Sequence, residues 1–159
     1  MPLYDLRLQF NAGGVSVEGS GEGQPVDVIS LDSCGLERCN LTKIDVEGME
    51  GKVLRGAEST IRKTRPPRFV ETSRENQAEV IELAHDYGYQ CWWHIAAYFS
   101  PENFFGNTEN VFADIHPQSN RLCVPGEGAF SIDGLERVEG DHDTSELALE
   151  RIRAKASRD

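Results

Sequence analysis

Residues 41–71 have the sequence LTKIDVEGMEGKVLRGAESTIRKTRPPRFVE, in which an apolar strand is followed by a helix and a second strand. The run over 41–46 is short and apolar, as expected for a buried strand that ends near an acid. From about Glu50 to Thr64, apolar residues recur at the spacing of one helical face. Pro66-Pro67 ends this helix, and residues 68–71 predict a second strand that closes on an acid.

The sequence after residue 71 repeats this alternation. A second helix is predicted over 75–87 and ends at Gly88, and residues 89–95 predict a third strand rich in aromatic side chains. Strands that alternate with helices indicate an α/β fold with a mostly parallel sheet and crossover helices. The stretch 96–119 is a long loop, of a kind that is usually functional or disordered, and 121–124 predict a last strand.

The two ends of the chain carry weaker patterns. Apolar and polar residues alternate over 6–10, as in a half-buried strand, and 11–14 have turn chemistry. The glycine-rich stretch 19–23 lacks the helix that a cofactor loop must open, because an extended run follows it, so we interpret it as a surface loop. Residues 146–156 predict either one amphipathic helix or a frayed tail.

The chain is strongly acidic, with 16 Lys and Arg against 27 Asp and Glu and a net charge of −11. Such a charge repels phosphate backbones and anionic lipid heads, which disfavours nucleic-acid and membrane-surface partners. No segment approaches the length of a membrane span, and the N-terminus lacks the pattern of a secretory signal. We therefore expect a cytoplasmic protein.

The four cysteines, Cys34, Cys39, Cys91 and Cys123, do not have the spacing of a zinc site. Cys91 and Cys123 lie in apolar, strand-like runs. We expect them to be small buried hydrophobic residues in a reducing compartment.

Acidic residues stand at the ends of the first two predicted strands. Ligands of open α/β sheets bind at the carboxyl ends of strands, so Asp45 and Glu71 would face one cleft if their strands are neighbours. Glu47 lies just beyond Asp45, and His94 lies near the end of the third strand. Such groups act as general bases, orient hydroxyls or hold divalent ions. The open alternatives are that Asp45 caps the next helix, that Glu71 pairs with an arginine, and that His94 only packs.

Several runs together resemble the FkbM-type methyltransferase domain. The most specific is 43–50, which continues through 53–57, and the strand that ends at Glu71 also fits. Within 88–112, the runs Gly88-Tyr89, Trp93-His94, Pro101–Asn107 and Asn110–Phe112 resemble the C-terminal portion of the family. The resemblance covers about residues 11–125.

This resemblance implies a Rossmann-like, class I methyltransferase fold that binds S-adenosylmethionine. It also implies transfer of the methyl group, usually to a hydroxyl oxygen of a sugar or secondary metabolite, which makes a small-molecule acceptor the expected partner. By resemblance, Asp45, Glu71 and His94 are the catalytic candidates, and Asp45 and Glu47 are the cofactor-binding candidates. No metal ligands are assigned. The candidates for the acceptor pocket, whose alternative role is packing and turn formation, are Trp93, Asn103, Phe104, Asn107 and Asn110.

The first half of such a domain is not recognisable before Leu41. Domains of this family begin with a strand, a glycine-rich turn and a helix, and then have a strand whose terminal acid binds the ribose of the cofactor. We therefore expect residues 1–125 to be the C-terminal part of the domain and 126–159 a polar tail. The missing half is either lost or supplied by another chain. In both cases we expect the chain alone to bind the cofactor weakly or not at all, and a bare sheet edge to favour self-association.

Two other functions stay open at this stage. One is a non-catalytic interaction module that binds a partner through the bare sheet edge or the loop over 96–119. The other is a metal-dependent hydrolase built on Asp45, Glu47 and Glu71.

Overall fold

The computed structural model describes residues 24–128 and 130–157. The predicted strand over 6–10, the turn at 11–14 and the glycine-rich stretch 19–23 lie outside the described residues. The described part is a mixed α/β fold with one five-stranded sheet. Its strands are β1 (Thr42–Ile44), β2 (Arg68–Glu71), β3 (Tyr89–Ala96), β4 (Gln118–Pro125) and β5 (Glu136–Arg137). Its helices are a 3-10 helix (Leu31–Cys34), α1 (Glu50–Arg55), α2 (Glu58–Thr64), α3 (Gln77–Asp86) and α4 (Ser145–Ala156).

The sheet has the strand order β1-β2-β4-β3-β5. β1 and β2 are parallel, whereas β4 is antiparallel to both β2 and β3, and β5 is antiparallel to β3. The prediction of a mostly parallel sheet is therefore wrong, because three of the four strand pairs are antiparallel. The chain leaves β3 through the loop over 97–117 and returns as β4 in the reverse direction, between β2 and β3. β1, β2 and β3 themselves still point the same way.

The helix predicted over 50–64 is two helices, which meet at Gly56-Ala57. A residue distant in sequence caps the second of them, since the Asp32 carboxylate accepts the backbone N–H groups of Ser59 and Thr60 at 2.9 and 2.8 Å. The bond from the Thr60 backbone is the main reason why the pKa of Asp32 is lowered. The 3-10 helix that contains Asp32 is thereby fixed to the start of α2.

The helices cover one face of the sheet. Strand residues alternate between the two faces, and the side chains that face the helices form the core. From the strands and helices, this core contains Ile44, Leu54, Ile61, Val70, Val80, Ile81, Ala84, Cys91, Trp93 and Cys123. The residues that alternate with them, among them Asp45 and Glu71, belong to the opposite face.

The segment beyond residue 125 contributes to this same core. β5 pairs with β3, and Val138 and Ala148 are buried in the core. The predicted C-terminal helix is present as α4, and the Thr144 side chain caps it by accepting the backbone N–H of Leu147. The domain boundary at residue 125 stays a prediction. None of the helices in the described ranges is long and apolar enough to cross a membrane.

Candidate functional site

An acidic cleft lies at the carboxyl ends of β1 and β2. Asp45 directly follows β1, and Glu71 ends β2. The two strands are parallel neighbours, so both acids lie at the same end of the sheet, where β1 and β2 have their carboxyl ends. The cleft has a volume of about 430 Å³, and no Lys or Arg is among the described residues that line it. Those residues are Asp45, Glu47, Gly48, Glu50, Glu71, Thr72, Ser73 and Glu75.

Asp45 is ionised in this cleft at neutral pH. Lys43 lies two residues earlier on the same face and donates to the Asp45 carboxylate at 2.5 Å. This hydrogen bond is the main cause of the lowered pKa of Asp45, and the Glu71 side chain contributes to the lowering as well. Asp45 does not cap the next helix, because the N-cap residue of α1 is Met49 and no side-chain hydrogen bond caps this helix. The carboxylate of Asp45 is therefore left facing the cleft.

A buried glutamate holds the turn that follows β1. Glu47 and Gly48 have positive φ angles of 49° and 97°, and such an angle is uncommon for a residue with a Cβ atom. Glu50 Oε1 accepts the backbone N–H groups of Val46 and Gly48 at 3.4 and 3.2 Å, and Glu50 Oε2 accepts from Asn76. Glu50 thus closes the turn from inside and ties it to the start of α3.

Replacing Glu50 by alanine is expected to lower the free energy of unfolding by about 2 kcal/mol, because the buried Asn76 amide and the two backbone N–H groups of the turn lose their common acceptor. Urea denaturation followed by far-UV circular dichroism measures this loss. The matched control is Glu58→Ala, which removes an exposed glutamate from the first turn of α2 and its ion pair with Arg62. The control substitution should lower the free energy of unfolding by less than about 0.5 kcal/mol. Equal losses in the two variants would contradict the role of Glu50.

Polar side chains continue from the cleft along the face of the sheet opposite the helices. Glu71 is opposite Asn120 of β4, which is opposite His94 of β3, and Gln118 donates to Glu71 Oε1 at 2.6 Å. The His94 ring packs edge-on against Phe69, and its Nδ1 has no hydrogen-bond partner within the described ranges. His94 lies two strand spacings from Glu71, about 10 Å, so the two share a face but not the cleft.

Trp93 lies apart from the other acceptor candidates. It points to the helix-covered face of the sheet, is only 1% exposed and donates from Nε1 to Asp143 at 2.9 Å. The structure therefore places Trp93 in the core, on the other side of the sheet from Glu71 and His94.

The remaining acceptor candidates lie on the loop over 97–117. The Asn103 side chain donates to the carbonyls of Ser100 and Asn107 and accepts the backbone N–H of Asn107. Asn110 accepts the backbone N–H of Phe112. Asn103 and Asn107 line a second recess of about 600 Å³. These contacts form turns, and an acceptor-binding role for the loop stays a prediction.

Phe104 is the most exposed of these candidates. Its side chain is 95% exposed and packs edge-on against Phe105. It therefore contributes to the surface of the loop rather than to the wall of the acidic cleft.

Two residues beside the site were missed in the sequence, Gln118 and Asn120. The predicted loop ended at Ser119 and the predicted last strand began at Arg121, so Gln118 was assigned to the loop and Asn120 to neither element. Residues 118–121 are all polar, so no alternation of apolar and polar residues in the sequence indicated the longer strand.

A family model described as the Methyltransferase FkbM domain matches residues 7–91, which is slightly more than half of the 159-residue chain. The matched range includes β1, β2 and the residues that line the acidic cleft. No curated protein and no solved structure with significant similarity was found. Within the described ranges, no group of three or more His, Cys, Asp and Glu is arranged to hold a metal ion.

Proposed function

The chain belongs to the FkbM methyltransferase family, and on this basis we propose that it methylates a hydroxyl oxygen of a neutral small molecule with S-adenosylmethionine as the donor. Membership of the family supports methyl transfer in general. The proposal adds three points to this: S-adenosylmethionine as the donor, a neutral small molecule as the acceptor, and oxygen as the atom that is methylated. The observation that carries them is the acidic cleft at the carboxyl ends of β1 and β2.

We propose a Rossmann-like relationship for the part of the sheet that contains β1, β2 and β3 as well. β1, β2 and β3 share one direction, and α1 and α2 connect the parallel pair β1 and β2 as a crossover. Ligands of such sheets lie outside the carboxyl ends of the strands, which is where the acidic cleft is found.

The residues of the cleft fit a cationic donor. S-adenosylmethionine has a positively charged sulfonium, an ammonium group, a carboxylate and two ribose hydroxyls, so its net charge is positive, and when bound it supplies an electrophilic methyl group. The ionised Asp45 carboxylate attracts positive charge, and Glu47 on the neighbouring turn adds a second acidic side chain. Carboxylates also accept strong hydrogen bonds from hydroxyls. Asp45 and Glu47 are therefore the proposed donor-side residues.

Asp45 and Glu71 have the central role toward the acceptor in this proposal. Asp45 accepts a hydrogen bond from the acceptor hydroxyl, which orients its oxygen toward the donor and stabilises the proton as it leaves. Glu71, which Gln118 holds in place, offers a second acceptor beside it. His94 has a buried ring nitrogen, Nδ1, without a partner in the described residues, and it would take part only if the ring turned toward an acceptor that spans two strand widths.

The charge of the cleft favours a neutral acceptor. Asp45, Glu71 and Glu75 line it together with further acids, and no lysine or arginine is among its described lining residues. An acceptor that carries phosphate or carboxylate groups would be repelled at this distance. Sugars and other neutral polyols fit the same cleft, since their hydroxyls donate hydrogen bonds to carboxylates.

The other two functions lack support. No observation favours the interaction module over the enzyme. The hydrolase would need a bound metal, and no residue group suited to holding one is found in the part of the chain that the structure describes.

Transfer of a labelled methyl group tests the proposal. The protein is kept in excess over S-adenosylmethionine with an isotopic methyl label, so that slow transfer is detected even when the cofactor binds weakly. We expect labelled methyl ethers from neutral sugars and polyols, together with S-adenosylhomocysteine, and at least about tenfold less product from the phosphorylated counterparts. Preferential transfer to phosphorylated acceptors, or no product from any hydroxyl compound, would contradict the proposal.

A further inference from the structure

β3 and β4 place two cysteines directly opposite each other. Cys91 and Cys123 are cross-strand partners on the helix-covered face, and each is only 1% exposed. Their Sγ atoms lie 2.7 Å apart, closer than two sulfur atoms without a covalent bond normally approach. Both residues are thiols in the structure, and neither belongs to the acidic cleft.

The hydrogen bonds around these strands identify the type of cross-strand pair. The Cys91 carbonyl accepts the backbone N–H of Val138, on the side of β3 away from β4. The Ser119 carbonyl accepts the backbone N–H of Thr72, so alternate β4 residues, including Cys123, direct their backbone groups toward β2. Cys91 and Cys123 therefore form a non-hydrogen-bonded pair. In such a pair the Cα atoms lie about 4.5 Å apart, which is within the range that a disulfide spans.

Two buried arginines flank this dithiol. Arg68 of β2 is opposite Cys123, is 1% exposed, and none of its three side-chain nitrogens has a hydrogen-bond partner within the described residues. Arg121, two residues before Cys123, lies on the same face and is fully buried. The Arg68 guanidinium packs on the ring of Tyr89. Two buried cations beside a pair of thiols favour the thiolate, which is the reactive form in disulfide chemistry.

The two sulfurs differ in acidity. The hydrogen bond from Cys91 is the main cause of the lowered pKa of Cys123, and the nearby Arg68 and Arg121 lower it further. The same hydrogen bond raises the pKa of Cys91. Cys123 is also the cysteine directly opposite Arg68, so we assign it as the sulfur that reacts first.

We propose that Cys91 and Cys123 are a redox pair that forms a disulfide between β3 and β4 by exchange with a small-molecule disulfide. The Cys123 thiolate attacks one sulfur of that disulfide, which forms a mixed disulfide and releases one thiolate. Cys91 loses its proton to the released thiolate and attacks the Cys123 sulfur, which releases the second thiolate, and this takes up the proton that Cys123 lost. Two protein thiols are oxidised, and the small-molecule disulfide is reduced to two thiols.

The bond would have a structural consequence on the opposite face of the sheet. It would tie the strand that carries His94 to the strand that carries Gln118 and Asn120. Because both sulfurs are buried, the small-molecule disulfide reaches them only when the strands open, either locally in the folded protein or before folding is complete. This inference does not depend on the proposed methyl transfer.

Refolding in a glutathione redox series tests the pair, because glutathione reaches both cysteines while the chain is unfolded. In a Cys34→Ser/Cys39→Ser background, Cys91 and Cys123 are the two remaining thiols. The protein is unfolded, refolded at set ratios of oxidised to reduced glutathione, alkylated and digested with trypsin. We expect peptide 75–121 to be linked to peptide 122–137, and the linked fraction to rise to nearly complete with the proportion of oxidised glutathione. Oxidised protein should also unfold at a higher urea concentration than reduced protein.

The matched control keeps two cysteines at almost the same sequence separation but on opposite faces of the sheet. It carries Cys123→Ser and Leu122→Cys in the same background. We expect it to refold with little linked peptide, because the second thiol then points away from Cys91. A native-like protein whose Cys91 and Cys123 peptides stay separate in the most oxidising buffer would overturn the proposal. Equal linkage in the control would overturn it as well, since the pairing would then not depend on the fold.

Discussion

Replacing Asp45 by asparagine is expected to slow methyl transfer by roughly 100- to 10,000-fold, the range that a positioned proton acceptor contributes. Asparagine has nearly the same shape, so the turn and the lining of the cleft should persist. It lacks the negative charge that Lys43 maintains on Asp45, and it is a weaker acceptor for the proton of the acceptor hydroxyl. The affinity for S-adenosylmethionine should change much less, since Asp45 is one of several acids in the cleft.

Single-turnover rates with labelled donor measure the effect, and equilibrium dialysis measures the affinity for the cofactor. The matched control is Asp86→Asn, an exposed aspartate at the end of α3 that does not line the cleft. The control should keep the rate of the unmodified protein within about twofold, because its only loss is a solvated charge. If Asp45→Asn transferred the methyl group as fast as the control, Asp45 would have no role in the transfer step.

The pH profile separates Asp45 from other groups. The hydrogen bond from Lys43 lowers the folded pKa of Asp45, so its carboxylate persists below the ordinary value of about 3.9. Protonation of Asp45 therefore should not reduce the rate between about pH 5 and 8. Loss of rate within that window would be assigned to another titrating group, and it should also appear in the residual activity of Asp45→Asn.

The sequence predicted the features that depend on short-range patterns. β1, β2 and β3 coincide with apolar runs of strand length. The Asp45–Glu71 cleft was expected because an acid stands at the end of each of two neighbouring strands. Such patterns are local, because the hydrophobic period and the turn residues lie within a few positions of each other. The periodicity over 146–156 left either one amphipathic helix or a frayed tail, and the structure has the helix, α4.

The place of β4 was not predictable in this way. β4 pairs with β2 and β3, which are far from it in sequence. The residue pattern within β4 does not indicate which two strands it lies between. The same holds for Asp32, which caps a helix 27 residues later at Ser59. Trp93 and His94 were assigned to one crevice as neighbours, but adjacent strand residues point to opposite faces. The structure accordingly buries Trp93 against Asp143.

The largest stability effect is expected at Asp143, which fixes the C-terminal segment to the sheet. Its carboxylate accepts from Trp93 Nε1 at 2.9 Å, from two nitrogens of Arg151 at 3.0 and 2.7 Å, and from the backbone N–H of Glu139 at 3.0 Å. The Asp143 side chain is 3% exposed. Asp143→Ala would leave the buried indole N–H and the Arg151 guanidinium without this acceptor. We expect the free energy of unfolding to fall by about 3 kcal/mol, the scale for removing one partner of a buried charged network.

The same contacts predict how stability depends on pH. Burial acts to raise the pKa of Asp143, but the hydrogen bonds from Arg151, Trp93 and Glu139 outweigh it, and the folded pKa is lowered. A carboxyl group with a lowered folded pKa contributes its stability above the unfolded value and loses it as the pH falls toward the folded value. The difference between the unmodified protein and Asp143→Ala should therefore be full above about pH 5 and shrink below about pH 3.9.

Urea denaturation at several pH values, followed by tryptophan fluorescence, measures both parts of this prediction. The matched control is Asp141→Ala, which lies two positions away, is more than half exposed and pairs only with His85 among the contacts that the structure describes for its side chain. A pair at that exposure contributes at most about 1 kcal/mol, so the control should remain close to the unmodified protein. If Asp143→Ala costs no more than Asp141→Ala, or if its cost does not decline in acid, the Asp143 network does not hold α4 to the sheet. The fold would then depend at that point on the pairing of β5 with β3 and on the apolar contacts of Val138 and Ala148.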